Sequence, residues 1–124
     1  VKAFEAFIDY AHEQGTTVVL VLAPWHSYLY DYMLTETEKH QGFFDVELYV
    51  RQYCAENKIP LYGSYDPSLI EGLGEEDFYD GIHCRGSGFE KLFPGVQTVL
   101  EQIATDTLPD PLALTPRTGH ELSE

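Results

Sequence analysis

Basic residues are scarce in this sequence. Only seven Lys and Arg stand against 21 Asp and Glu in 124 residues, which gives a formal net charge of −14 at pH 7. Phosphate groups are bound by clustered Lys and Arg, so we expect neither nucleic acid nor an anionic membrane surface as a partner. We interpret the acidity as a contribution to solubility in preference to an acidic binding surface.

Cysteine and long apolar runs are also scarce. The two cysteines, Cys54 and Cys84, do not make a disulfide framework, and Cys54 falls on the apolar side of a predicted helix, where a core position is expected. No apolar run reaches the ~20 residues of a membrane span, and no signal peptide is recognisable. The first residue is not Met, which fits removal of an upstream segment, so the sequence leaves the localisation open.

Metal-binding motifs are missing as well. The histidines are scattered, and there is no H-E-x-x-H motif and no paired C-x-x-C. We therefore expect no metal and no cofactor, with one alternative left open: Asp77, Asp80 and His83 are close enough in sequence to hold a cation. The five histidines are His12, His26, His40, His83 and His120.

The apolar pattern predicts an α/β fold. Residues 16–23 form a near-continuous β-branched and apolar run, which is typical of a strand buried on both faces of a parallel sheet. Residues 24–42 have no clean period and are interpreted as a loop-rich excursion, part of which can be helical. Residues 59–62 are interpreted as a short second strand. Helices are predicted before the first strand, between the strands, and after residue 88, where Pro94 should kink or split the helix.

This order predicts a parallel sheet with flanking helices in three layers. Two strands cannot make such a sheet stable alone, so residues 1–105 are interpreted as the back half of a doubly wound domain. Three prolines and the loss of periodicity predict that residues 106–124 form a tail, partly disordered or draped over the body.

The stretch Asp80-Gly81-Ile82-His83 carries the clearest chemistry. An Asp and a His three residues apart can share one helical turn, where the carboxylate holds one imidazole nitrogen and leaves the other free to take a proton. Gly88 and Phe89 follow and open an apolar helix. The stretch therefore predicts a catalytic base, His83, oriented by Asp80. The alternative is a surface Asp/His pair at a helix end.

This stretch resembles the last conserved block of the SGNH (GDSL-like) hydrolases, in which the Asp and His of a D-x-x-H motif complete a Ser-His-Asp triad. The run at residues 18–24, which ends in Pro24, is similar to the late core strand of that family, and residues 59–62 are similar to its short last strand. The resemblance covers residues 1–104 and implies an SGNH/flavodoxin-like three-layer fold. It also implies esterase or O-acyltransferase activity, and the long aromatic loop after Trp25-His26 resembles the branch that O-acetylates polysaccharides.

The nucleophile of that family is not found in this sequence. Neither the Gly-Asp-Ser block nor the later Gly and Asn blocks are present, and none of Ser27, Ser64, Ser68 and Ser87 stands in a G-x-S-x-G elbow. We therefore expect the chain to be inactive alone, unless another chain or segment supplies the serine.

Three further residues are candidates for substrate binding. His26 follows the end of the first strand, where α/β sites collect, although an exposed loop histidine is the alternative. Trp25 is either a platform for a sugar or acyl chain or a cover over the strand end. Arg85 either neutralises an acidic substrate group or pairs with Glu75 and Glu76.

Two functions follow from these observations. The first is a fragment of an SGNH-like esterase or O-acyltransferase that acts on ester-linked acyl groups, with a small-molecule or carbohydrate ester as substrate. The second is a non-catalytic α/β module that binds a partner or forms a homodimer through its exposed sheet edge. The sequence does not decide between hydrolysis and transfer.

Overall fold

The computed structural model describes residues 1–118. Residues 119–124, which include His120 and the end of the predicted tail, lie outside the described residues. Within residues 1–118 the chain forms five α-helices, two strands and two 3₁₀ turns, Pro67–Leu69 and Glu75–Asp77. In chain order the main elements are α1 (Lys2–Glu13), β1 (Leu20–Leu22), α2 (Ser27–Leu34), α3 (Gln41–Asn57), β2 (Leu61–Gly63), α4 (Gly86–Leu92) and α5 (Val96–Thr105).

The two strands form a parallel sheet, which confirms the predicted class of mixed helix and strand. Leu20 is opposite Leu61 and Leu22 is opposite Gly63 in the register. The first strand is shorter than predicted, because only residues 20–22 of the apolar run at residues 16–23 face a partner strand. Residues 16 and 17 are exposed, and the Thr16 N–H donates instead to the Ala11 carbonyl at the end of α1.

Helices α1 and α3 pack together over the sheet. Ile8 of α1 and Cys54 of α3 are almost fully buried, beside Leu22 and Leu61 of the strands. The predicted core position of Cys54 is therefore confirmed. Burial of these side chains removes apolar surface from water at about 25 cal/mol per Å², and this is what holds the two helices on the two short strands.

The contacts of Tyr62 place α4 and α5 against β2. The Tyr62 ring packs edge-on against Phe93, with 5.5 Å between ring centroids, and its hydroxyl donates to Gln102 Oε1 at 2.5 Å. Leu61 and Tyr62 are neighbours in a strand, so their side chains leave on opposite faces of the sheet. Side chains from helices therefore contact β2 on both of its faces.

Local signals in the sequence set several element ends. Gly15 follows α1 with φ +79°, and Asp66 accepts the Ser68 N–H at 3.0 Å, so it caps the turn that Pro67 begins. Pro94 separates α4 from α5, as its position inside the apolar stripe predicted. Each signal acts through the backbone. A residue in the left-handed conformation ends a helix, and proline has no N–H to donate inside a helix.

Residues 24–42, interpreted as a loop-rich excursion that can be helical in part, contain the helix α2, which buries Tyr30 and Met33. Glu47 and Arg51 of α3 are charged, yet they are only 2% and 4% exposed. They are buried because they pair with each other, at 2.8 Å between Arg51 Nη2 and Glu47 Oε2.

Candidate active site

A short closed loop carries Asp80 and His83. Phe78 and Cys84 pair as an antiparallel bridge, and inside it the Tyr79 N–H donates to the His83 carbonyl at 2.8 Å. The His26 N–H, just beyond the carboxyl end of β1, donates to the Gly81 carbonyl at 2.9 Å. The loop is therefore fixed at its base and tied to the end of the strand where sites of parallel sheets collect.

The Asp80 carboxylate orients the His83 ring. His83 Nδ1 lies 2.7 Å from Asp80 Oδ2 and 2.9 Å from Oδ1. A carboxylate only accepts hydrogen bonds, so Nδ1 must carry the proton in the neutral ring, and Nε2 keeps its lone pair. The pair therefore has the arrangement of a base and its orienting acid, and Nε2 is the atom that can take a proton.

The backbone around this pair is not a helical turn, in contrast to one expectation from the sequence. Asp80 Oδ1 accepts the N–H groups of Ile82 and His83, both at 2.9 Å, so the side chain closes a turn on its own backbone. Asp is well suited to such turns because its short carboxylate reaches the N–H two residues on. Gly81 sits within this turn and approaches Leu29, where a Cβ would lie 3.1 Å from Leu29 Cδ2.

Hydrogen bonds also set the charge of Asp80. The Ile82 N–H, followed by the His83 ring, lowers the pKa of the Asp80 carboxyl below its usual range. Both side chains are open to solvent, 54% exposed for Asp80 and 65% for His83. Asp80 is thus held as a carboxylate, and His83 is accessible to a second molecule or segment.

A groove of about 480 Å³ adjoins the pair on the Asp80 side. His26, Glu75 and Phe78 form part of its wall, and the exposed rings of Tyr28 and Tyr79 flank it. His26 Nδ1 accepts the Tyr28 N–H at 3.0 Å, so the neutral ring carries its proton on Nε2, which lies 4.0 Å from Glu75 Oε1. His26 is therefore placed as a hydrogen-bond donor to whatever occupies the groove.

Trp25 and Arg85 do not line this groove. The Trp25 ring packs against Phe43, with 4.6 Å between centroids, beside the buried cluster of Tyr30, Met33 and Phe44. Arg85 does not pair with Glu75 or Glu76; its Nε donates to the Phe78 carbonyl at 3.1 Å, and its guanidinium lies 4.1 Å from the centre of the Tyr79 ring. Of the two residues, Arg85 contacts residues that line the groove, Phe78 and Tyr79.

No nucleophile within residues 1–118 is paired with His83. The hydroxyls of Ser64, Ser68 and Ser87 donate to the carboxylates of Glu47, Asp66 and Asp77, at 2.7, 2.7 and 2.8 Å. Ser27 begins α2 and borders a different groove.

The neighbouring thiol is also unsuited to the role of nucleophile. Burial, followed by the charge of Asp77, raises the pKa of Cys84 above its usual value, and this disfavours the reactive thiolate.

The sequence did not reveal the role of Asp77. Its side chain is 1% exposed and accepts hydrogen bonds from Lys91 Nζ at 2.7 Å, Ser87 Oγ at 2.8 Å and the Gly74 N–H at 2.9 Å. Asp77 therefore ties α4 to the base of the loop and is not turned towards Asp80 and His83. Within residues 1–118 no three His, Cys, Asp or Glu side chains are grouped so as to hold a metal ion.

Neither protein-family models, nor curated proteins, nor solved structures gave a match to the chain. None of the helices formed by residues 1–118 has the length and apolar character that a membrane span requires. The resemblance to SGNH hydrolases thus rests on the motif residues themselves and remains a prediction.

Proposed function

We propose that this chain supplies the acid–base part of an SGNH-like esterase or O-acyltransferase site that acts on ester-linked acyl groups. The observation that carries the proposal is the contact of 2.7 Å between His83 Nδ1 and the Asp80 carboxylate, with Nε2 left open to solvent. The same geometry lets histidine act as a general base in serine hydrolases.

The mechanism needs a serine from outside the described residues. Its hydroxyl would attack the acyl carbon of the ester while His83 Nε2 takes the hydroxyl proton. His83 would then return that proton to the departing alcohol, which leaves an acyl-serine. Water or an acceptor hydroxyl would release the acyl group by the same steps in reverse order. Throughout, Asp80 would stabilise the imidazolium.

The α/β fold with its parallel sheet supports this proposal. His26 lies four residues beyond the carboxyl end of β1 in a parallel sheet, and the loop that carries Asp80 and His83 is hydrogen-bonded to it. We also propose that residues 1–105 are the back half of an SGNH/flavodoxin-like three-layer domain. The aromatic rings of Tyr28 and Tyr79 beside the groove suit a carbohydrate ester among the possible substrates.

The test is hydrolysis of 4-nitrophenyl acetate by the full natural polypeptide that contains these 124 residues. We expect His83→Ala to slow hydrolysis by about 10²–10⁴-fold, the usual contribution of a positioned general base. His12→Ala is the matched control, because it removes an exposed imidazole from α1. The proposal fails if the His83→Ala protein, folded by circular dichroism, keeps the rate of the unchanged protein.

The second candidate is a non-catalytic α/β module, favoured by the lack of a serine beside His83 among residues 1–118. In that case Asp80 and His83 close a surface loop and nothing more. Equal hydrolysis rates for the unchanged protein and both histidine variants, all at the level of buffer alone, would favour this reading.

A further inference from the structure

The groove beside Asp80 and His83 carries negative charge. Glu75 and Asp80 place two carboxylates in its wall, and among residues 1–118 no Lys or Arg lines it. His26 is neutral while its Nδ1 accepts the Tyr28 N–H. The Glu75 carboxylate lies 4.0 Å from His26 Nε2, which is beyond hydrogen-bond distance, and its side chain is 88% exposed. The charge of the groove therefore favours a cation over a neutral or anionic ligand.

Aromatic rings supply a second feature that favours a cation. Tyr28 and Tyr79, which flank the groove, are 82% and 67% exposed, and Phe78 is a buried part of its wall. The face of an aromatic ring attracts a cation that lies within about 6 Å of the ring centre. One ring of this wall already does so, since the guanidinium of Arg85 lies 4.1 Å from the centre of Tyr79. Arg85 does not itself line the groove, and the ring of Tyr28 remains open to a ligand.

The apolar part of the wall indicates which kind of cation fits. Leu29 and Phe78 line the same groove as the carboxylate of Glu75. A primary ammonium group is strongly hydrated and loses hydrogen bonds to water when it meets apolar side chains. A quaternary ammonium group has no N–H, and it presents methyl groups to such a wall and its charge to the rings and the carboxylate. The volume of about 480 Å³ is that of a small-molecule site.

We propose that this groove binds a small molecule that carries a quaternary ammonium group. The methyl groups lie against Phe78 and the ring of Tyr28, and the Glu75 carboxylate balances the charge. The Nε2–H of His26 donates a hydrogen bond to an oxygen of the same ligand. The proposal concerns binding alone, and it holds whether or not His83 is a catalytic base.

The experiment is an NMR titration of the isotope-labelled 124-residue protein with choline, which carries both the quaternary ammonium group and a hydroxyl. We expect saturable shifts of the Tyr28 and Gly81 amide signals with a Kd of about 1–10 mM, the affinity of a few weak contacts. Two analogues divide the ligand into its parts. The alcohol 3,3-dimethyl-1-butanol has the shape of choline without the charge, and ethanolamine has the charge without the methyl groups. We expect both analogues to bind at least about fivefold more weakly than choline.

Two pairs of variants separate the groove from the net charge of −14. Glu75→Gln removes a carboxylate of the groove, and Glu76→Gln removes the same charge from the next residue of the turn, which does not line the groove. Tyr28→Leu removes a ring of the groove, and Tyr32→Leu removes an exposed ring of α2 outside it. We expect Glu75→Gln and Tyr28→Leu each to weaken choline binding about three- to fivefold, and the two controls to change it less than about twofold.

Four results would overturn the proposal. The first is the lack of any shift at Tyr28 and Gly81 when choline is added far above the expected Kd. The second is binding of either analogue as tight as that of choline. The third is an equal loss of affinity in Glu75→Gln and Glu76→Gln, which would mean that the net charge attracts choline. The fourth is tighter binding of methyl glucoside than of choline, which would assign the rings to a neutral sugar. None of these results depends on hydrolysis, so the test of His83 as a general base is separate.

Discussion

At the scale of single residues, Asp80 performs two tasks with one carboxylate. It closes a turn by accepting the N–H groups of Ile82 and His83, and it holds the His83 ring through Nδ1. Since the turn and the ring orientation depend on the same group, the position of His83 is fixed by its own neighbours in sequence. This is why a motif of four residues can carry the geometry of the pair.

The contacts of Asp77 could not be predicted from the residues around it in the sequence. Its closeness to Asp80 and His83 along the chain suggested a shared cation, but its carboxylate turns the other way and meets Lys91 and Ser87. These partners are ten and fourteen residues further along the chain. Contacts across that separation depend on where α4 packs, and no local pattern encodes this.

Asp77 should make stability depend on pH. The hydrogen bond from Lys91, followed by those from Gly74 and Ser87, lowers its pKa from 3.8 to about 2. A carboxyl with a depressed folded pKa stabilises the fold above its unfolded pKa and loses that effect as the pH falls through the folded value. We expect the free energy of unfolding of the unchanged protein to exceed that of Asp77→Asn above pH 5, and the difference to shrink between pH 4 and pH 2.

Urea unfolding at a series of pH values measures this difference. The control is Asp45→Asn, which alters an exposed carboxylate that accepts a hydrogen bond from Gln41 within α3. Its difference from the unchanged protein should vary less with pH. A constant difference for Asp77→Asn from pH 6 to pH 2 would contradict the role given to Asp77.

At the scale of elements, the sequence predicted best those ends of helices that depend on the backbone of a single residue. Gly15 marks the end of a helix because its own φ is positive. Pro94 does so because it has no N–H of its own. By contrast, the position of α2 was not predicted, because its eight residues are too few to display a helical period. Its Tyr30 and Met33 are buried by contact with Phe44 of α3, and that contact exists only after α3 has folded.

The close approach of β1 and β2 makes a specific prediction about Gly63. Gly63 has φ +82°, and a Cβ there would collide with the Leu22 carbonyl. Gly15 has a similar φ of +79° but has open space around it. We expect Gly63→Ala to lower the free energy of unfolding by about 3 kcal/mol or more, from backbone strain and overpacking together. Gly15→Ala carries the strain alone and should cost about 1 kcal/mol.

Denaturant titration of the two variants isolates the steric part of the loss of stability at Gly63. Both variants replace a glycine at positive φ, but only at Gly63 does the added Cβ meet neighbouring atoms. Equal losses of stability would mean that the strands separate to admit the methyl group. In that case the tight approach of Gly63 to Leu22 would not be what limits this position.

At the scale of the whole molecule, the segment after α5 is part of the body up to residue 118. Arg117 Nη2 and Nε contact the two oxygens of Asp66 at 2.9 and 3.0 Å, and Tyr30 donates to the Arg117 carbonyl at 2.5 Å. Arg51 Nη1 also donates to the Pro111 carbonyl at 3.0 Å. The sequence predicted a tail that is partly disordered or draped over the body, but not which residues it contacts, because these contacts join single residues across more than fifty positions of the chain.

The Arg117–Asp66 pair should hold that segment to the body. Asp66 is fully buried, and burial acts to raise its pKa, but the hydrogen bonds from Arg117 and Ser68 outweigh this and lower the pKa below 3.8. Arg117→Ala would leave the buried carboxylate with its Ser68 contacts and with the backbone N–H of residue 117, which donates to Asp66 Oδ2 at 2.9 Å. We expect the variant to lose about 2 kcal/mol of stability, less than for a fully buried pair because Arg117 is 38% exposed.

The sign of the Asp66 pKa shift gives a second readout of the same change. The Arg117→Ala variant loses the hydrogen bonds of the guanidinium while burial still acts on Asp66, so the pKa of Asp66 should rise relative to the unchanged protein, which carbon NMR of the carboxyl group can follow. The control is Asp31→Ala, which removes the exposed second partner of Arg117 and should cost less than about 1 kcal/mol. If the pKa of Asp66 does not change in the Arg117→Ala protein, then Ser68 and the backbone N–H of residue 117 hold the charge, and the guanidinium is not what attaches the segment.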